Sequence, residues 1–436
     1  MTGTPLSFNQ EFLLAFDNGD KSNGAFGERH TLVNAWRLTG PVDLTALRQA
    51  LDDVVARHDV LRTTLDADSS EAGGGHQTVH PMTSADLTVR SIDGTDRDHA
   101  SEALLNEVDA EPFDVRDLPL LRAVLGRFDE NDSVLVLATH HAGTDGWSMG
   151  ILVRDLAACY TARLTGRPAD LPQAPQYTEF ASWQRQFGSP TPESVEYWRG
   201  KLAGAGMLGI PTDRPYPAGT VDVYAAHRFV IDDELSGLAK QFARSMRSTL
   251  FMVLLAAHQT QLRDMTGVAE VMIPTFTSGR YDERFTDTVG PFFNLLPLLT
   301  DMTGVRHLRD AVGRVRTTCL EAYANDIPFG DIVSAAPQIT KAFGDPHGSV
   351  VAFEVLQHPD FADNLVFGAA TAVAIRDRRL SQSLAASIPN GGVWALEVLR
   401  SGRIAGSLKY NRNTFDDDTI VGIADDFQRR LRSALT

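Results

Sequence analysis

The stretch LVLATHHAGTDGWSMGILVRDL, residues 135–156, joins three kinds of local structure. Its first residues form a continuous apolar run, which predicts a buried β-strand. Two adjacent histidines follow, then an Asp-Gly pair, and then a run with the apolar spacing of a helix. Asp145 is a natural N-cap for that helix, and Gly146 permits a tight entry into it. The stretch therefore predicts a strand–loop–helix unit with two imidazoles at the end of the strand.

The histidines at 140 and 141 have two interpretations. They could be hydrogen-bonded polar residues at a strand end, with Asp145 acting only as a helix cap. Alternatively, the strand is a rigid platform that places His141 in a water-poor cleft between two halves of the chain. Imidazole titrates near neutrality, so it could accept a proton from an attacking amine or hydroxyl. In this second interpretation Asp145 is a buried charge that needs a cationic partner, for which arginine is best suited.

Strand and helix signals alternate on both sides of this stretch. Residues 30–40 predict a strand, residues 43–58 a helix, and residues 119–128 a strand that forms a hairpin with 133–141. A Pro-rich connection at 167–176 separates this series from a second αβ series that begins near residue 223. The chain is therefore predicted to form two αβ lobes, residues 1–175 and residues 176–436.

The composition excludes several classes of protein. The 436 residues are 43% hydrophobic and 22% charged, which is typical of a soluble globular protein. The net charge of −16 argues against nucleic-acid binding and against adhesion to anionic membranes. The N-terminus lacks the features of a signal peptide, the two cysteines suit a reducing compartment, and no His/Cys cluster has zinc spacing. We therefore expect a cytoplasmic protein without a bound metal.

Residues 140–148 resemble the HHxxxDG signature of the condensation-domain family of nonribosomal peptide synthetases, followed by the family's Trp-Ser pair. Other stretches resemble further motifs of the family, in the family's order, across essentially the whole chain. They are RHDVLRTTL (57–65), YTEFASWQ (177–184), SGR (278–280), VGPFFNLLPL (289–298), NDIPF (325–329) and GSLKYNRNTFDDDTI (406–420), with a weaker likeness at LSFNQEFLL (6–14). One departure is SVVAFEVLQHPDF (349–361), where the family's Arg-Asp-x-Ser-Arg-Asn-Pro stretch has no clear counterpart.

The resemblance implies an α/β fold of two chloramphenicol acetyltransferase-like lobes in a V shape, with an active-site tunnel between them. It implies that His141 lies in the tunnel as a general base or transition-state stabiliser, while His140 orients the loop. Asp145 would pair with Arg280 of the SGR stretch, and Gly146 would let the loop backbone approach the tunnel. The secondary site candidates are Arg62 and Asn294.

The implied function is that of a free-standing condensation enzyme of the kind found in bacterial natural-product pathways, including enediyne assembly. Such an enzyme transfers an acyl group from the phosphopantetheine thioester of a carrier protein, here supplied in trans, to the amine or hydroxyl of a soluble acceptor. We expect a monomer that binds no cofactor of its own. Two alternatives stay open: an acyl-coenzyme A-dependent acyltransferase of the same fold, and a catalytically inactive carrier-docking protein.

A carrier protein of this kind is usually acidic, so docking on a chain of net charge −16 would need a local basic patch. Arg376, Arg378 and Arg379 form one candidate cluster. An ordinary solvated turn is the preferred interpretation of these three residues.

Overall fold

The computed structural model describes residues 4–66, 75–217, 220–357 and 360–436. The predicted mixture of helices and strands is confirmed. The helices are α1 (Phe8–Phe16), α2 (Leu44–Arg57), α3 (Arg97–Ala110), α4 (Gly146–Thr165), α5 (Tyr177–Phe187), α6 (Pro192–Lys201), α7 (Asp233–Ser245), α8 (Leu250–Thr266), α9 (Leu308–Ala324), α10 (Phe329–Ala335) and α11 (Asp417–Leu435). Within the described ranges, every helix is too short or too polar to serve as a transmembrane span.

Among the described residues, the strands form two main sheets, one three-stranded sheet and two two-stranded sheets. They are β1 (Thr4–Pro5), β2 (Thr31–Thr39), β3 (Thr63–Asp66), β4 (His76–Val79), β5 (Asp86–Ser91), β6 (Leu121–Arg127), β7 (Asp132–His140), β8 (Ile210–Pro211), β9 (Tyr224–Ile231), β10 (Glu270–Thr277), β11 (Asn294–Asp301), β12 (Gly348–Ser349), β13 (Val351–Leu356), β14 (Asn364–Phe367), β15 (Ala370–Ala374), β16 (Gly392–Val398) and β17 (Ile404–Asn411).

The first lobe is built on a six-stranded sheet in the order β14-β15-β2-β7-β6-β5. Strand β7 lies inside this sheet, antiparallel to both neighbours, with Thr31 of β2 opposite His140. Helices α2 and α4 cover one face with an apolar core, and α3 covers the other. Because β7 is buried on both faces, its sequence is a continuous apolar run rather than an alternating one.

The second lobe is built on a four-stranded sheet in the order β13-β16-β17-β9, beside the β10–β11 hairpin. Its side chains alternate between the two faces, as the pleat of a strand requires. Phe353, Trp394 and Leu408 point into the core of the second lobe, which helices α8, α9 and α11 complete. The residues that alternate with these three along their strands point from the opposite face of the sheet, toward the first lobe. That face forms one wall of the interface between the lobes.

The two lobes exchange segments. Strands β14 and β15 come from the second half of the chain but complete the sheet of the first lobe, where Thr371 pairs with Thr39. Helix α5, which follows the Pro-rich connection, places Tyr177 and Phe180 in the first lobe's core. A lobe in space is therefore not one continuous range of residues. The boundary between the lobes near residue 175 stays a prediction. The structure shows in addition that the two lobes exchange segments.

Candidate active site

Strand β7 ends at His140, whose side chain fixes the loop that follows. Its Nδ1 accepts the backbone N–H of Ala142 at 3.0 Å, and its Nε2 lies 3.0 Å from the carbonyl oxygen of Gly27. These two contacts require the neutral ring with the proton on Nε2. Burial lowers the pKa of His140 to about 4, which agrees with a neutral ring. Both ring nitrogens are thus occupied, and the contacts are those of a residue that orients the loop.

His141 has a different environment. Its ring stacks on the ring of His30 with centroids 4.6 Å apart and meets the ring of Phe293 edge-on at 5.7 Å. Its Nδ1 is buried and has no hydrogen-bond partner among the described residues. Burial, reinforced by the nearby His140 and Lys409, lowers the pKa of His141 to about 3. The ring is therefore neutral at pH 7, so it carries one N–H and one lone pair.

Asp145 caps helix α4 and joins it to the second lobe. Its carboxylate accepts the backbone N–H groups of Ser148, at 2.7 Å, and Phe292, at 3.2 Å. The predicted partner Arg280 reaches both of its oxygens, at 3.1 and 3.2 Å. The guanidinium also donates to the Ser148 hydroxyl and lies 3.8 Å from the centre of the Phe292 ring. Sequence reasoning foresaw this ion pair.

Backbone carbonyl groups hold another part of the Arg280 guanidinium, whereas its Nε has no hydrogen-bond partner among the described residues. Its second terminal nitrogen donates to the carbonyl oxygens of Phe285 and Thr288, at 3.0 and 2.7 Å. The Ser148 hydroxyl exchanges hydrogen bonds with the backbone N–H and C=O of Gly290. The loop between β10 and β11 is thus fastened to the start of α4, and this fastening holds the two lobes in register around the histidine loop.

A cavity of about 280 Å³ lies between the two lobes, and His141, Asp145 and Gly146 line it on the first-lobe side. An added Cβ at Gly146 would meet no atom within 4 Å, because the residue faces open space. Aromatic side chains make up much of the wall: Phe12, Phe16, Phe276, Phe293 and Phe343. The structure thus places His141 at an interlobe cavity, where the second interpretation of the sequence expected it. Its role in the chemistry stays a prediction.

The two secondary candidates lie apart from this cavity. The guanidinium of Arg62 pairs with the Asp59 carboxylate and donates to the carbonyl of His80, within the first lobe. The amide of Asn294 donates to Asp326 at 2.7 Å and accepts the backbone N–H of Phe329 at 3.1 Å. Asn294 therefore fixes the NDIPF turn rather than facing the cavity.

The candidate basic cluster at 376–379 is not a free docking patch. Arg376 pairs with Asp363 and Glu397, and Arg379 pairs with Asp377. Arg378 is largely enclosed between the lobes, and burial lowers its pKa to about 9. The interpretation as an ordinary solvated turn is thus wrong for Arg378, since the segment after β15 folds back against helix α3.

Three residues of the cavity were missed by sequence reasoning. His30 precedes β2 and stacks on His141, while Glu354 in β13 and Lys409 in β17 supply charged groups on the second-lobe wall. A signal was present for the last two. In VAFEVL the charged residue interrupts an otherwise apolar strand, and in SLKYN it stands between the large side chains of a leucine and a tyrosine. The described residues contain no cluster of three or more His, Cys, Asp or Glu side chains placed to hold a metal ion.

The sequence profile described as "Condensation domain" matches residues 2–436. The chain belongs to the condensation-domain family. Family members are acyltransferases that form amide or ester bonds and work with carrier proteins bearing phosphopantetheine. The chain is 32% identical over 442 residues to one of the linear gramicidin synthase proteins from Brevibacillus parabrevis, a match that covers 98% of this chain but 8% of that protein. It thus spans less than a tenth of that relative's length.

Solved structures of condensation domains share the fold. The SgcC5 protein from Streptomyces globisporus, in complex with (R)-(−)-1-(2-naphthyl)-1,2-ethanediol and sucrose, superposes with a TM-score of 0.93. It is 40% identical over 99% of this chain and 98% of that chain. The X-domain from teicoplanin biosynthesis gives a TM-score of 0.79 at 25% identity, over 100% of this chain and 95% of that chain. The chloramphenicol acetyltransferase-like fold that the resemblance implied is confirmed.

Proposed function

We propose that this condensation domain transfers an acyl group from a carrier-protein phosphopantetheine thioester to the hydroxyl or amine of a small soluble acceptor, forming an ester or an amide. The observation that carries the proposal is His141. Its neutral ring lines the interlobe cavity, and none of the described side chains is hydrogen-bonded to it. Nδ1 is buried, so we assign the other ring nitrogen, Nε2, to the reactant.

The reaction needs no covalent enzyme intermediate. The acceptor oxygen or nitrogen attacks the thioester carbonyl carbon and forms the new C–O or C–N bond, while its proton moves to the lone pair of His141. Collapse of the tetrahedral species breaks the C–S bond, and the departing thiolate takes the proton from the imidazolium. General-base help of this kind contributes roughly 10²–10⁴-fold. Positioning of both reactants in one enclosed cavity supports the same step.

The lowered pKa of His141 bears on how the ring assists. A buried imidazole of low pKa is a poor store for a proton, so it would hold the proton only while the tetrahedral species exists. Electrostatic and hydrogen-bonding stabilisation of that species is the second role open to the same neutral ring. The loop geometry serves both roles, because His140 and the Asp145–Arg280 pair fix where the ring stands.

The aromatic wall of the cavity supports an acceptor with an apolar, preferably aromatic, body. The relative SgcC5 was solved with an aryl 1,2-diol. We therefore include a vicinal diol among the preferred acceptors, with ester formation as its outcome. A carrier protein in trans, a monomeric state and a cytoplasmic location belong to this proposal as well.

Intact-mass measurement of acyl unloading from candidate carriers, against a panel of aryl diols, alcohols and amines, tests the proposal. His141→Ala should lower the rate by roughly 10²–10⁴-fold without lowering the melting temperature by more than a few degrees. His227→Ala is the matched control, since His227 lies on β9 and outside the lining of the cavity.

Wild-type turnover by His141→Ala would refute the assignment. Equal or faster turnover with the acyl-coenzyme A would favour the coenzyme A-dependent alternative. Tight carrier binding with no turnover of any donor would favour the docking protein.

A further inference from the structure

The second-lobe wall of the cavity has a regular arrangement set by strand register. In one cross-strand row Glu354, Ala395 and Ser407 lie side by side, and in the next row Ala352, Val393 and Lys409 do. All six residues line the cavity. Glu354 and Lys409 are two strands and one row apart, so standard sheet spacings put their Cα atoms about 12 Å from each other. The residues between them are small, which leaves room above this floor.

None of the described residues pairs with either charged side chain. Among the described residues, neither the Glu354 carboxylate nor the Lys409 ammonium has a hydrogen bond or an ion pair within 4.0 Å, although each feels the field of the other. Both are partly buried and line the cavity between the lobes. Lys409 also lies within the field of Asp109, Arg228 and Arg378. A buried charge without a partner is costly, so this arrangement is one that a ligand would relieve.

Two other enclosed carboxylates, the first at the interface and the second within the first lobe, are satisfied. Asp109 accepts hydrogen bonds from the Gln382 amide at 2.9 Å and from the Ala386 backbone at 3.2 Å. Asp155 accepts from Arg57, His58 and Arg154. Packing between the lobes therefore does not by itself leave a carboxylate without hydrogen-bond partners. The bare pair occurs where the wall faces the cavity that holds His141.

We propose that Glu354 and Lys409 determine substrate specificity, by binding a reactant that carries an ammonium group and, a few atoms away, an oxygen acceptor. Glu354 pairs with the ammonium and Lys409 donates to the oxygen, over the floor of Ala395 and Ser407. This inference rests on the proposed function, since it takes the occupant to be one of the two reactants. An attacking amine must be unprotonated, so the ammonium is a spectator group and not the nucleophile.

Two sources offer this chemistry: an acyl donor with a free amine, and an acceptor alcohol with a free amine. Matched probes separate them. The donor pair is the phenylalanyl and 3-phenylpropionyl thioesters of N-acetylcysteamine, and the acceptor pair is phenylalaninol and 3-phenyl-1-propanol. Each pair differs only by the amino group, and the phenyl ring suits the aromatic wall. Titration calorimetry of each probe alone measures binding without requiring turnover.

The wild-type chain should bind the amino member of one pair at least tenfold more tightly than its partner, and the pair concerned identifies the reactant. Glu354→Gln should reduce that preference to threefold or less. Lys409→Met should weaken both members of the favoured pair by roughly fivefold to tenfold. Glu270→Gln, which changes an exposed carboxylate at the start of β10, is the matched control and should keep the full preference.

Equal binding within both pairs by the wild-type chain would overturn the inference. So would a Glu354→Gln variant that folds with a melting temperature no lower than that of wild type and keeps the preference. Unchanged binding in Lys409→Met would overturn the part assigned to Lys409. Failure of the proposed function has a different signature: no turnover with any carrier-bound donor, while the Glu354-dependent preference for the amino probe persists.

Discussion

Two pairs of oppositely charged residues border the same cavity. They differ in how many hydrogen bonds and ion pairs the protein makes with each. The Asp145–Arg280 pair is closed: carboxylate and guanidinium meet two backbone N–H groups, two carbonyls, a hydroxyl and an aromatic face. The Glu354–Lys409 pair is open: neither group has a hydrogen bond or ion pair among the described residues. Both pairs lie between the lobes, and the closed pair is deeply buried whereas the residues of the open pair are partly buried.

This difference separates an ion pair that stabilises the fold from a pair of charges that is available to bind a ligand. A buried ion pair whose two groups hold each other and the surrounding backbone has little left to offer a substrate, and removing one partner leaves the other buried and unpaired. An unpaired buried charge lowers stability in the free protein and offers an attachment point to a ligand. We therefore expect substitutions in the closed pair to act on the free energy of unfolding, and substitutions in the open pair to act chiefly on recognition.

The largest effect is expected from breaking the closed pair. Arg280→Met should lower the free energy of unfolding by about 3–5 kcal/mol, because Asp145 stays buried without its cation. Chemical denaturation followed by fluorescence measures this change. Arg284→Met, in the same loop but exposed and ion-paired with Asp282, should change it by about 1 kcal/mol or less. Equal losses in the two variants would show that the Asp145–Arg280 pair contributes no special stability to the fold.

Neutralising Glu354 in the open pair should raise the free energy of unfolding rather than lower it, by an amount that depends on pH. Burial raises the pKa of Glu354 from 4.5 to about 7. Between these values the unfolded chain has released the proton and the folded chain retains it, so stability contributed by this group falls as pH rises and then levels above pH 7. The cost above pH 7 is at most about 3 kcal/mol.

Comparing Glu354→Gln with the wild-type chain by denaturation at pH 4.5, 6 and 8 isolates this contribution. The stability of the variant relative to wild type should increase from pH 4.5 to pH 8. A difference that is constant across the three pH values would mean that Glu354 is already paired in the folded protein.

A smaller loss is expected at a third polar group near the cavity. Asn294 is closed in the same sense as Arg280, since its amide bonds Asp326, Ile327 and Phe329. Asn294→Ala should lower the free energy of unfolding by about 2 kcal/mol, because the buried Phe329 N–H loses its partner. Acyl transfer measured well below the variant's melting temperature should stay within a few-fold of wild type. A loss as large as that of His141→Ala would return Asn294 to the reacting centre.

The smallest effect on stability is expected where the wall is open space. Gly146→Ala should change the free energy of unfolding by less than about 0.5 kcal/mol, because the added Cβ meets no atom within 4 Å. Gly146→Trp should keep the melting temperature within a few degrees but occupy the cavity beside His141. Acyl transfer by Gly146→Trp at the wild-type rate would show that substrates do not enter past this residue.

The amino-acid sequence determined the local units around the site. The apolar run of 133–140, the Asp145 cap and the helical spacing after it are read over a few residues, because hydrogen bonding and apolar periodicity act along the chain. The Asp145–Arg280 pair was also accessible from sequence, but through resemblance to a family rather than through spacing. No local pattern links residues 135 positions apart.

Only the tertiary structure decided which charges are satisfied. Glu354 and Lys409 are chemically ordinary in the sequence, and they become a bare pair because register sets them on one sheet face and the first lobe closes over it. Likewise, Arg378 is enclosed because its segment returns against α3, and β14 and β15 cross to the other lobe's sheet. Burial and partner geometry are properties of segments far apart in the chain. The free-energy cost of burying each charged side chain, and hence its role, is therefore fixed only when those segments come together in the fold.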